Sequence, residues 1–91
     1  MQESIFNDIK YVIEKDEDNV FDYETIKELV TPYFNQFDYI LGDFSYNKVR
    51  LKGFCNEKNK KKNKINDIKM LDDYLLNYCS YGCSYFLLRK M

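Results

Sequence analysis

Lys48, Arg50 and Lys52 occupy alternate positions in the stretch FDYILGDFSYNKVRLKGF, residues 37–54. Side chains on a strand point to one face at every second residue, so the three cations share a face. Such a row suits phosphate. Several cations on one surface displace counterions from a nucleic-acid backbone, and adjacent aromatic rings stack on unpaired bases. Tyr39 and Phe54 fall on that face by the same count. The run KNKKKNK at 58–64 holds Lys60, Lys61 and Lys62, which would add a flexible basic arm. These eight residues are the candidate contacts for RNA or a ribonucleoprotein. Two other readings compete. One is a solvated sheet face with Arg50 paired to Asp43, beside a loop lengthened by AT-rich coding. Ala and Trp are absent while Lys, Asn, Ile and Tyr abound. The other is an acidic protein partner docked on the same row.

The thiols are the next chemistry-bearing set. Cys79 and Cys83 are spaced C-x₃-C, and Cys55 follows the basic stretch. Structural zinc takes four ligands, usually from closely spaced pairs. Three thiols and no His leave that shell incomplete, and a redox pair is more usually C-x-x-C. Free Cys packs as a small hydrophobe. Cys55, Cys79 and Cys83 are therefore metal candidates only if a carboxylate joins them, and no cofactor is expected. Without His there is no Ser-His-Asp triad. Asp72 and Asp73 are adjacent, so on a helix they diverge by about 100° and form no dyad. Asp16, Glu17 and Asp18 resemble the start of a calcium loop, but Phe21 stands where that loop needs Gly. The expectation is a non-enzymatic protein.

The elements that position these residues follow from periodicity. Ile9, Tyr11 and Ile13 alternate with Lys10, Val12 and Glu14 and predict a strand. Asp22 is a good N-cap, with Phe21 and Ile26 placed as a hydrophobic staple. Ile26, Leu29, Val30, Tyr33, Phe34 and Phe37 form a helical apolar face that Pro32 must kink or interrupt. Residues 37–54 predict a hairpin centred on Tyr46-Asn47, with Phe44 opposite Val49, Asp43 opposite Arg50 and Leu41 opposite Lys52. Its core face would be Ile40, Gly42, Phe44, Val49, Leu51 and Gly53. Residues 56–67 predict a flexible Lys/Asn-rich loop. Asn66 or Asp67 can cap a second helix with Ile68, Leu71, Leu75, Tyr78 and Cys79 inward, ending at Gly82. SYFLLRK at 84–90 predicts a strand buried on much of both faces. The order β-α-β-β-α-β predicts an α+β fold: a four-stranded, mainly antiparallel sheet with two helices on one face, as in ferredoxin-like domains.

Composition bounds the rest. Ninety-one residues suit one small domain, spanning 1–91. No stretch approaches 18 apolar residues and the N-terminus lacks a signal pattern, so no membrane contact and a cytoplasmic location are expected. Charge is lopsided. Residues 1–47 carry three Lys against eleven acids, a net −8, and residues 48–91 carry eleven Lys and Arg against four acids, a net +7. Such asymmetry points to association or to neutralisation between the two halves.

Two stretches also resemble a known family. FDYILGDFSYNKVRLKGF at 37–54 is similar to a YutD-family pattern of Tyr-Asp-Tyr-Ile-Val-Gly-Asp-Trp, a short turn, then Leu-Arg-Leu-Lys-Gly-Phe. DYLLNYCSYGCSYFLLRK at 73–90 is similar to its Asp-Tyr-Leu, Tyr-Cys-Asn, aromatic, Gly-Cys and aromatic strand. Phe44 replaces the usual Trp and Ser80 the usual Asn. The resemblance implies a small bacterial α/β protein and carries over no catalytic residue. The alternative to an RNA-binding module is a regulatory adaptor that binds a protein.

Overall fold

Asn7 and Asp8 both hold positive φ, 53° and 64°. That backbone makes the tight two-residue turn favoured between antiparallel strands. They join β1 (Glu3–Phe6) to β2 (Ile9–Asp16). The expected first strand therefore has a hairpin partner that the sequence reading missed. The computed structural model describes residues 3–16, 21–45, 48–60, 62, 66–78 and 84–91.

Asp22 caps α1 (Tyr23–Ile26), its carboxylate accepting from the Glu24 N–H at 3.2 Å. The helix stops after one turn. Thr31, preceding Pro32, is extended (φ −82°, ψ 170°), as the proline ring demands of its neighbour. The chain restarts as a 3₁₀ turn, Pro32–Gln36. Ile26, Val30, Phe34 and Phe37 point inward, but Leu29 and Tyr33, expected on that apolar face, are exposed.

β3 (Tyr39–Ser45) and β4 (Lys48–Phe54) pair in the expected register, Phe44 with Val49, Asp43 with Arg50 and Leu41 with Lys52. The expected Tyr46-Asn47 turn lies outside the described residues. Asp67 caps a 3₁₀ turn (Ile68–Met70) that leads into α2 (Leu71–Tyr78). Cys79 and Gly82, expected at that helix's end, lie outside the described residues. β5 (Tyr85–Lys90) closes the sheet.

The sheet has five strands, not four, in the order β1-β2-β5-β3-β4. Every pairing is antiparallel. The antiparallel pairing is as expected, but the sheet departs from the expected one in count and order: β1 is added at an edge, and the last strand, β5, lies between β2 and β3. The helices also do not share a face. Ile40, Phe86 and Leu88 pack with Phe6, Tyr11, Ile26, Val30, Phe34 and Phe37 in one core. The alternate residues Leu41, Phe54 and Leu87 pack with Tyr39, Ile68, Leu71, Tyr74 and Leu75 in a second core. Period 2 sends neighbouring residues to opposite faces, so α1 covers one face and α2 part of the other. β5 is central, and its Phe86, Leu87 and Leu88 are buried from both sides.

Two glycines seat aromatic rings. A Cβ at Gly42 would lie 2.0 Å from Cζ of Phe86, its partner across the strand, and one at Gly53 would lie 2.1 Å from Cδ2 of Phe37. Only the missing side chain lets each ring lie flat on the sheet.

Candidate functional site

The basic row lies on the face predicted, but that face is not open. Phe54 is fully buried and meets Tyr74 of α2 edge-on, with ring centroids 5.8 Å apart. Tyr39 is half-buried against the same core. Neither ring is presented for a base to stack upon, which corrects the expectation of an aromatic-flanked open face. Lys52 sits over both rings, its Nζ 5.3 Å from the Phe54 centroid and 5.9 Å from that of Tyr74. Its aliphatic stem covers apolar surface while the charge stays near the rings.

Arg50 donates from Nε to Oδ1 of Asp43 at 2.9 Å. The expected pair is present, but its environment is not that of an exposed pair. The Asp43 side chain is 1% exposed while that of Arg50 is 45% exposed. Oδ2 of Asp43 is buried and makes no hydrogen bond among the described residues. Arg50 is thus held to the sheet by a buried carboxylate. Across the sheet, Lys15 of β2 donates to the hydroxyl of Tyr85 in β5 at 3.0 Å and lies over its ring. Arg89 pairs with Glu14.

The other candidate cations are placed as follows among the described residues. Lys48 stands opposite Ser45 in the ladder. Lys60 is exposed, and Lys62 lies 3.9 Å from a carboxylate oxygen of Asp67. Lys61 lies outside the described residues. The expected flexible loop 56–67 is tied at both ends. Asp38 accepts from the Asn56 N–H at 2.9 Å and from Asn59 Nδ2 at 2.8 Å. Asn66 and Ile68 bond to Cys55. Cys55 is fully buried and packed in the first core. Cys79 and Cys83 lie outside the described residues, and no metal-holding cluster of carboxylates and thiols occurs among the described ones.

A cleft that the sequence reading missed runs along the outer edge of β4. It encloses about 280 Å³. Tyr33, Phe34, Phe37 and Leu51 wall it from the first face, Lys52 and Tyr74 from the second, with Gly53 and Asn66 between. Tyr33 is 62% exposed although it joins the aromatic group of Phe34 and Phe37. The sequence assigned these rings to a helix core. Pro32 is the signal that could have found the site, because the interrupted helix turns Tyr33 outward.

The edge itself carries backbone groups. The Cys55 N–H donates to the Asn66 carbonyl at 2.6 Å, and the Cys55 carbonyl accepts from the Ile68 N–H at 2.9 Å. This makes a single parallel bridge from Cys55 to Asp67 on the outer side of β4. Main-chain groups alternate along a strand, so those of Gly53, Leu51 and Val49 face the same outer side.

Comparison with known proteins matches this chain to one family. The profile described as "Putative antitoxin YutD-like" matches residues 5–89. A similar curated protein, "Putative antitoxin YutD" of Bacillus subtilis (strain 168), is 39% identical over 71 residues, 78% of each chain. The solution NMR structure of protein yutD from B. subtilis superimposes with a TM-score of 0.82 at 31% identity. That match covers 100% of this chain and 83% of the other. No helix among the described residues is long and apolar enough to cross a membrane.

Proposed function

We propose that this chain, which belongs to the YutD-like family, is a non-enzymatic module that binds a protein partner in the cleft along β4. One observation carries this reading. The cleft joins exposed Tyr33 to a strand edge whose Val49, Leu51 and Gly53 have no outer backbone partner among the described residues, whereas the ring expected to stack on bases, Phe54, is buried beneath α2. A half-buried aromatic cleft with one cation at its rim suits a polypeptide, since interfaces are anchored by aromatic side chains in desolvated pockets. The relative's name, an antitoxin, is in keeping with a role exercised by binding. A cytoplasmic setting goes with it, because an odd set of three Cys forms no disulfide framework.

RNA on the basic row is the competing reading, and geometry favours it less. The rings expected to stack on bases are buried at Phe54 and half-buried at Tyr39, and Lys62 lies beside Asp67. The test sets both readings side by side. Immobilised parent, Tyr33→Ala and Lys52→Glu proteins are exposed to lysate of the source cell, while labelled single-stranded RNA is titrated over a salt series. A protein retained by the parent and lost by both variants, without salt-steep RNA binding, supports the proposal. RNA binding that falls steeply with salt, disappears in Lys52→Glu and survives Tyr33→Ala overturns it. So does an absence of any Tyr33-dependent protein.

A further inference from the structure

We infer that the partner segment held by β4 is an extended, acidic strand that pairs with its outer edge and becomes a sixth strand of the sheet. This rests on the protein-binding reading above.

The edge is chemically ready for such an addition. β4 pairs with β3 on one side only, and its outer side is already used at one residue, where Cys55 exchanges hydrogen bonds with Asn66 and Ile68. Val49, Leu51 and Gly53 continue that outer row, and no backbone partner for them on that side occurs among the described residues. Strand addition satisfies such groups through main-chain bonds, and alternate side-chain pockets supply specificity.

The two walls of the cleft then set what the strand carries. Side chains of an added strand alternate between the faces, as those of β4 do. On the first face they meet Leu51 and the rings of Tyr33 and Phe37, a site for an apolar residue. On the second face they come beside Lys52 and Arg50. No carboxylate pairs with Lys52 among the described residues, and residues 48–91 carry a net +7. That field favours carboxylates. It also repels basic strands and guards the edge against apolar self-pairing, as lysines on edge strands do. The recognised pattern is therefore acidic and apolar residues in alternation.

The probe is a synthetic peptide of about nine residues alternating Glu with Val and carrying one central Phe. Two controls accompany it, a scrambled peptide of equal composition and one with Lys in place of Glu. Binding to the ¹⁵N-labelled chain is followed by amide shifts and hydrogen exchange. The expected result is shifts centred on β4 and Tyr33, with exchange of the Val49, Leu51 and Gly53 amides slowed about tenfold or more at saturation. Lys52→Glu should weaken the alternating peptide about tenfold while its circular dichroism matches the parent. Equal binding of either control, shifts centred on α2 or β1, or unchanged exchange at the three amides would overturn the inference. A protein retained in a Tyr33-dependent way, together with an inert peptide, would refute the strand mode and leave the protein-binding reading standing. Failure of both experiments would remove both.

Discussion

Replacing Gly42 by Ala should cost about 1–2 kcal/mol. The Cβ would stand 2.0, 2.3 and 2.7 Å from Cζ, Cε2 and Cε1 of Phe86. Carbon atoms rest about 3.5–4.0 Å apart, so the ring must move by more than about 1 Å. It has little room, being fully buried and edge-on to Phe21 with centroids 5.3 Å apart. Overpacking of this kind costs about 1–3 kcal/mol. Ala also restricts the unfolded chain, which returns about 0.4–1 kcal/mol. At about 4–8 °C per kcal/mol for a domain of this size, the melting temperature should fall by roughly 5–15 °C. The assay is thermal and urea unfolding of the parent, Gly42→Ala, Phe86→Leu and the double variant. A flexible Leu can vacate the space above residue 42, so the double variant should lie above the sum of the two single losses. Unchanged stability of Gly42→Ala, or strict additivity in the cycle, would refute the idea that the glycine exists to seat the ring.

Three further outcomes follow from the same coordinates. Arg50→Ala should cost about 1.5–3 kcal/mol, read from urea midpoints, because it strips the buried Asp43 carboxylate of its charged donor, and Asp43→Asn should partly restore that variant. Burial, then the nearby Asp38 charge, pushes the Tyr11 hydroxyl above the ordinary tyrosine value of 10.0. The native state thus keeps a proton that the unfolded chain loses, so this contribution is whole below pH 10.0 and drains away as pH rises through the folded value. Since that hydroxyl has no hydrogen-bond partner among the described residues, Tyr11→Phe should leave stability at neutral pH equal or higher and flatten the alkaline decline of the urea midpoint. Asp22→Ala should cost about 1 kcal/mol in the same assay by uncapping α1.

Local rules made much of the sheet legible. Alternation in residues 39–54 gave the hairpin register and its two faces, and the charge pattern gave the Arg50–Asp43 pair, because both depend on neighbours across one short turn. The position of the second helix was not legible. Its apolar residues say that it must be buried but not against which side of a sheet whose both faces hold apolar residues, so the basic row was placed on an open surface. The first hairpin was missed because Asn7-Asp8 lacks the glycine that usually marks such a turn. The cleft was hidden for a different reason. Tyr33 fits the helical period of a core residue, and only the break imposed by Pro32 turns it outward.

The central place of β5 bears on how the chain acquires its structure during synthesis. The β1–β2 and β3–β4 hairpins are each local, but they do not pair with one another; each pairs with β5. Tyr11 meets Lys90 and Tyr39 meets Arg89, so neither core can close until residues 85–90 have left the ribosome. Until then the nascent chain presents two ribbons with bare inner edges and uncovered aromatic faces, the state in which strands from different chains pair wrongly. Such long-range pairing is also slow to form. A chain released before residue 85 would therefore display two hairpins without a sheet, open to chaperones and proteases that have little hold on the finished molecule.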